Sequence, residues 1–319
     1  MSPRAAGIVL ALLLPSASAW AAPDLSGDAL LRDHLWRELT ALPRGKRPTV
    51  GLVLSAGSLR ATAHVGVISV LENAGFPIDV VSGTSMGAVL GALYAGGISA
   101  GRLWKIAGSF NWNVAGDVNA FSLLTLFISD KLLSSQKGES FIRRQIGDKR
   151  FDELKIPFAC VAMDLYSGER IIFRKGAVTF AVRASMNVPG FFEPVEYRHR
   201  YLVDGGIVDY IPVDAARLLG ADWALASVTE SDYTYSKPKN VFQTLEQVLD
   251  IRGSLLSRQE RREADFLIEP RLGDIGMFDA ARIPEAMDKG AFAASRRLKA
   301  AKESLILYSL PSLVPEAAP

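Results

Sequence analysis

Gly83-Thr84-Ser85-Met86-Gly87 lies between a short apolar run, Ile78-Asp79-Val80-Val81-Ser82, and a stretch of small residues, Ala88-Val89-Leu90-Gly91-Ala92-Leu93-Tyr94-Ala95. The first flank reads as a strand and the second as a helix. A G-x-S-x-G sequence joining strand to helix predicts a nucleophile elbow, with the serine on a tight turn and its hydroxyl exposed beside a helix N-terminus. The glycines let the two backbones pass close together. Taken alone, the pentapeptide also fits a glycine-rich turn that only packs a helix on a sheet. The strand-turn-helix setting gives Ser85 its standing as a candidate nucleophile.

Working outward, Val50-Gly51-Leu52-Val53-Leu54 is continuously apolar, as expected of a strand buried on both faces. A helix pattern follows from Ala61 to Asn73, closed by Gly75 and Pro77. Strand, helix, strand and helix at this spacing predict a mostly parallel sheet with helices on both faces. Upstream, Leu31, Leu35, Leu39 and Leu42 have helix spacing, Pro43 ends the helix, and Gly45 to Pro48 is a basic linker. Downstream, Pro157–Asp164 and Arg170–Phe173 flank a Ser167-Gly168 turn and predict a hairpin. Further strands are expected at Tyr201–Val203, Trp223–Val228 and Phe266–Ile268, and helices at Val178–Met186, Val213–Leu219, Phe242–Leu256 and Pro284–Leu307. Phe121–Leu133 is apolar and reads as core, with a groove cap and a membrane-touching helix as its other two readings.

The 319 residues carry 36 basic and 34 acidic side chains, a net charge of +2. That balance does not suggest a nucleic-acid partner, which calls for a basic surplus. The single cysteine, Cys160, lies in an apolar strand pattern and reads as core; with only three histidines, a structural zinc site is not expected. At the N-terminus, Arg4, the apolar stretch Ala5–Leu14 and Ala17-Ser18-Ala19 have the order of a secretion signal. The apolar stretch is too short to span a bilayer, which takes roughly 20 residues. Export to a periplasm or beyond is the expectation, with cleavage before Trp20.

A serine nucleophile needs a base and donors for the oxyanion. The order Ser, Asp, His is met only by Ser85, Asp164 and His199, and His199 sits in a polar cluster that reads as an exposed hairpin turn. His64 falls within the first helix pattern and reads as a buttress for the loop before it. Asp204 ends an apolar strand and precedes two glycines, so its carboxylate can face a neighbouring strand end, where ligand chemistry on such sheets gathers. An Asp-Gly-Gly turn also occurs with no catalytic task. Ser55-Ala56-Gly57-Ser58-Leu59-Arg60 joins the first strand to the first helix, and small residues there leave N–H groups available to an anion. The G-x-G-x-x-G of a dinucleotide loop is not met.

Together these pieces, with Arg183-Ala184-Ser185-Met186-Asn187-Val188-Pro189-Gly190 and Val203-Asp204-Gly205-Gly206, resemble the patatin-like phospholipases over about Val50 to Val228. The resemblance implies a three-layer α/β sandwich around a mostly parallel sheet, with a C-terminal helical addition. It implies a Ser-Asp dyad, Ser85 as nucleophile and Asp204 as base, with Gly57 and Ser58 giving the oxyanion hole and Arg60 near a substrate head group. It further implies a bacterial, exported lipid acyl hydrolase of phospholipase A or lysophospholipase type, needing no metal or other cofactor and making peripheral membrane contact. A catalytically weak lipid-binding protein and a non-lipid esterase with a triad are the alternatives. Ala56, Ser58 and Ala61 replace glycines usual in the family loop, and Tyr210 stands where asparagine is usual. The expected division is 1–19 signal, 20–47 N-terminal helix and linker, 48–230 catalytic domain and 231–319 C-terminal helical region.

Overall fold

The computed structural model describes residues 26–109, 134–230, 232, 234 and 237–313. The expected signal and the apolar Phe121–Leu133 segment lie outside the described residues.

An eight-stranded sheet organises the molecule. Its parallel part is built from β1 (Val50–Leu54), β2 (Val80–Thr84), β3 (Phe158–Asp164), β7 (Trp223–Ser227) and β8 (Phe266–Ile268), in the order β3-β2-β1-β7-β8. β4 (Arg170–Phe173), β5 (Val195–Tyr197) and β6 (Arg200–Asp204) are antiparallel additions around β3. All residues of β1, β2, β3 and β7 are buried, which explains why those segments are continuously apolar or small rather than alternating.

The register of β3 decides where the site forms. Cys160 pairs with both Gly83 of β2 and Phe173 of β4, while Ala162 pairs with both Ile171 of β4 and Asp204 of β6. A strand has two edges. β4 therefore takes one, and β2 and β6 share the other end to end. β2 finishes at Thr84 opposite Val161, and β6, running the opposite way, finishes at Asp204 opposite Ala162.

Helices cover the sheet unequally. One face carries α1 (Gly27–Ala41), α2 (Ala63–Asn73), α3 (Met86–Ala95), α4 (Ala100–Ser109), α5 (Gln136–Ile146), α6 (Val178–Ser185) and the long C-terminal helix, α9 (Ile283–Leu313). The other carries α7 (Val213–Leu218) over a smaller cluster that includes Val53, Ile211, Val213 and Ala224. α8 (Val241–Glu260) adds Leu256 to that cluster. A methyl group on Gly66 would come within 2.1 Å of Met287 O, and one on Gly290 within 1.9 Å of Ala63 O, so α2 and α9 cross at backbone contact. The C-terminal region thus supplies an edge strand, β8, and a helix in the same layer as α2. The basic linker is anchored as well: Arg47 donates to both oxygens of buried Asp79 at 2.6 and 2.9 Å.

Candidate active site

The turn after β2 has the strained geometry that G-x-S-x-G implies. Ser85 has φ 58° and ψ −124°, outside the regions ordinary residues prefer, at the N-terminus of α3. No side chain fits at Gly83 or Gly87. A Cβ on Gly83 would lie 2.4 Å from Gly87 O, and one on Gly87 would lie 2.4 Å from Leu54 O and 2.5 Å from Ser55 O. The Ser85 N–H donates to Ser185 Oγ at 3.0 Å, which ties the turn to the end of α6.

The end-to-end meeting of β2 and β6 brings Asp204 to this serine. Ser85 Oγ donates to Asp204 Oδ2 at 2.5 Å, and Asp204 Oδ1 accepts the Gly206 N–H at 2.7 Å. Gly205 lies against Val161, where a Cβ would be 2.4 Å from Val161 O, so the chain leaves β6 without room for a side chain. Burial pushes the Asp204 carboxyl up to about 6, against the opposing pull of the hydrogen bonds from Ser85 and Gly206. A carboxylate so raised is a better proton acceptor near neutral pH than a solvated one.

Facing this pair is the loop from β1 to α2. Ala56 N–H donates to Tyr210 O at 2.9 Å and Leu59 N–H to Met277 O at 3.0 Å. Among the described residues, the N–H groups between them, of Gly57 and Ser58, have no acceptor. Both residues line a cavity of ≈ 40 Å³ together with Ser85 and Asp204. Gly57 has φ 153°, and Ser58 has φ 49° in the left-handed region. Of the three glycine replacements noted in the sequence, only Ser58 therefore carries a backbone cost, about 1 kcal/mol.

Side chains from elsewhere hold the loop. His64 Nε2 lies 3.0 Å from Ser55 O, which can only accept, so Nε2 carries the proton and Nδ1 accepts from Ser227 Oγ at 2.7 Å. Burial lowers the His64 pKa to about 4 and keeps the ring neutral. Ser55 Oγ accepts the Thr229 N–H at 2.9 Å, and Thr229 Oγ1 donates to Ala56 O at 2.9 Å. Tyr210 OH donates to Thr229 O at 2.7 Å, so the residue at the asparagine position braces the loop through both its hydroxyl and its carbonyl. Ser185, Ser227 and Thr229 were not identifiable as site residues from sequence, although Ser185 lies in a motif-bearing stretch.

Arg60, expected near a substrate head group, lines the cavity and has a partner of its own. Its side chain is buried and paired with Asp250 of α8, so its charge is already balanced and it fastens α8 to the loop. The triad alternative is not assembled. His199 is exposed in the β5–β6 turn, and Asp164 accepts from Ser167 Oγ at 2.8 Å and from Arg200 at 3.3 Å rather than approaching Ser85. His64, with both ring nitrogens engaged, buttresses the loop as its position suggested.

A mostly parallel α/β sandwich with a strained serine turn abutting a buried aspartate defines a class of protein. The patatin-like phospholipase family matches residues 52–217, and the chain belongs to that family. Over 183 residues it is 35% identical to an uncharacterised NTE family protein of Mycobacterium tuberculosis, an alignment covering 56% of this chain and 48% of that one. Over 180 residues it is 33% identical to patatin-like phospholipase domain-containing protein 6 of Homo sapiens, covering 56% of this chain and 13% of the human one. The chain thus spans about half the length of the mycobacterial relative. Among solved structures, human GIVD cytosolic phospholipase A2 is similar at TM-score 0.48 and 9% identity, over 91% of this chain and 68% of that one.

Proposed function

We propose that the chain is a lipid acyl hydrolase working through a Ser85–Asp204 dyad. The observation that carries this reading is the hydrogen bond from Ser85 Oγ to Asp204 Oδ2 at a turn whose Gly83 and Gly87 leave no room for a side chain. Asp204 takes the hydroxyl proton as Ser85 Oγ bonds to the ester carbonyl carbon. The carbonyl oxygen becomes an oxyanion, held by the Gly57 and Ser58 N–H groups. The tetrahedral centre collapses, the ester C–O bond breaks, and the leaving alcohol receives the proton from Asp204. Water then gives a proton to Asp204 as its oxygen bonds to the acyl carbon. The second tetrahedral centre collapses, the bond to Ser85 Oγ breaks, Asp204 returns the proton to Oγ, and the carboxylic acid leaves. The lipid substrate, of phospholipase A or lysophospholipase type, is supported by family membership.

The test is covalent. A fluorophosphonate ester should label the purified protein, and peptide mass mapping should place the adduct on Ser85. An adduct elsewhere, or none under conditions that label a control hydrolase, rejects the reading. The catalytically weak lipid-binding alternative has one observation in its favour, the left-handed Ser58 in the donor loop.

We also propose that the chain is exported, on the order of Arg4, Ala5–Leu14 and Ala17-Ser18-Ala19. N-terminal sequencing of protein from the native host should begin near Trp20; an intact Met1 form in the cytoplasm overturns this. Residues 48–230 are proposed as the catalytic domain, 20–47 as an N-terminal helix and linker, and 231–319 as a C-terminal helical region.

A further inference from the structure

α8 lies beside the catalytic cavity with one face inward and one outward. Leu249 and Asp250 line the cavity beside Ser85. Phe242, Leu245 and Leu249 pack on Val188, Phe191 and Phe192, and Gly253 sits under the Tyr210 ring, where a Cβ would be 2.6 Å from it. The outward face is apolar where water would favour polar residues. Val241, Val248 and Leu255 recur every seven residues and are 73%, 55% and 51% exposed; Ile251, between the last two, is 38% exposed. This spacing makes one stripe along the helix.

Charge is sorted across the same helix. Its three acids all face inward: Glu246 accepts the Met277 N–H at 2.7 Å, Asp250 pairs with Arg60, and Glu260 accepts the Tyr210 and Ile211 N–H groups at 3.0 and 2.8 Å. The exposed charges are basic: Arg252 and Arg258 on the helix, and Lys237 and Lys239 just before it. An apolar stripe flanked by cations, with no exposed acid on the helix itself, matches a surface that is apolar inside and anionic outside. No described helix is long and apolar enough to cross a membrane, so such a contact would lie in the plane of the interface.

We propose that the outward face of α8 docks the protein onto an anionic lipid bilayer and thereby holds the catalytic cavity one helix diameter, roughly 10 Å, from the lipid surface. This rests on the lipid-hydrolase reading for its purpose but not for its measurement, because docking is read without turnover. The stripe enters the acyl boundary, Lys239, Arg252 and Arg258 meet the phosphates, and the cavity wall at Leu249 and Asp250 lies on the opposite side of the same helix.

The test uses the Ser85→Ala full chain, so that hydrolysis does not alter the membrane. It is mixed with vesicles of phosphatidylcholine alone or with added phosphatidylglycerol, and partitioning is read by flotation. Binding should favour the anionic vesicles and weaken as salt is raised. Val248→Ser, Ile251→Ser and Leu255→Ser together should weaken partitioning about 10-fold or more. Lys239→Gln with Arg258→Gln should cost about 10-fold on anionic vesicles only. In a Ser85 background, both sets should leave hydrolysis of a soluble short-chain ester unchanged, which separates loss of docking from loss of fold. Undiminished partitioning of the triple variant overturns the proposal. So does a wild type that sediments without vesicles as a dimer, or with a co-purified protein, that the triple variant dissociates. Docking without any esterase activity leaves the proposal standing and defeats the dyad reading instead.

Discussion

Two short connections face each other across the candidate active-site cavity and reach their shapes by opposite means. The Ser85 turn is determined within five residues: Gly83 and Gly87 make space that no other residue could, and Ser85 takes a backbone conformation at φ 58°. The Ser55–Arg60 loop has one glycine where the family usually has several, and is held from outside by His64, Ser227, Thr229, Tyr210 and Asp250. A turn built on steric exclusion tolerates no change at its glycines. A loop built on hydrogen bonds can exchange glycine for alanine or serine, provided the bracing partners are in place.

The same contrast explains what the sequence could reveal. The elbow was legible because the strand, G-x-S-x-G and helix are contiguous, and Asp204 because an apolar strand ending in Asp-Gly-Gly limits where a carboxylate can point. The parallel pairing of β1 and β2 followed from the strand-helix-strand-helix spacing. The joining of β2 and β6 along one edge of β3 was not legible, because pairing register depends on contacts between segments more than a hundred residues apart. The ion pair of Arg60 was hidden for the same reason. A lone arginine in a small-residue loop suggests an anion site, and its actual partner, Asp250, lies 190 residues away. The crossing of Gly66 over Gly290 was equally hidden, since a single glycine in a helix pattern does not name its neighbour.

The strongest challenge to this picture is removal of the proposed base. Asp204→Asn should keep the fold and lower kcat by about three to four powers of ten, as expected when a general base is lost beside an intact nucleophile. His199→Ala should change kcat by less than about 3-fold, since the ring is exposed in a hairpin turn. A severe loss in a folded His199 variant would restore the triad. The wild type should also show an acidic limb in kcat/KM. Asp204 must be ionised to accept a proton and its carboxyl sits at about 6, so activity should rise with pH through that value and then level off. A limb centred near 4 would mean that the carboxylate is solvated during turnover.

Gly87→Ala tests whether the turn is as unforgiving as its packing implies. The added methyl would meet two main-chain carbonyl oxygens, Leu54 O and Ser55 O, neither of which can rotate away. A stability loss of about 3 kcal/mol is expected from such overpacking against backbone, measured by urea unfolding. A loss below about 1 kcal/mol would show that the turn has slack and that its strain is not sterically enforced.

His64→Ala probes the loop. It removes the donor to Ser55 O and the acceptor from Ser227 Oγ, leaving buried groups unpaired at a cost of about 1–3 kcal/mol. If the loop presents oxyanion donors, kcat should fall about 10-fold while KM changes little, because the oxyanion exists only in the transition state. Unchanged kcat in a folded variant would mean that the loop stays in place without its brace.

The smallest expected effect is at Ser58, and it distinguishes strain from function most finely. Ser58 has φ 49°, whereas Ala56 and Ala61 have no positive φ and make useful contacts. Ala56 packs in the buried cluster with Val53, Tyr210 and Ile211, and Ala61 is buried in the short helical turn after the loop. Ser58→Gly should therefore relieve left-handed strain and raise stability by up to about 1 kcal/mol, less the entropy glycine gains in the unfolded chain. Its kcat should move by less than about 3-fold, because Gly57 and Ser58 keep their backbone positions and therefore their N–H groups. Adding Ala56→Gly and Ala61→Gly should reverse the gain, since glycine in a helical turn costs about 1 kcal/mol and buried methyl groups are lost. A triple variant with a markedly higher kcat than Ser58→Gly alone would show that the alanines displace the oxyanion donors. The loop would then be a weakened form of the glycine-rich one, not an equivalent braced from outside.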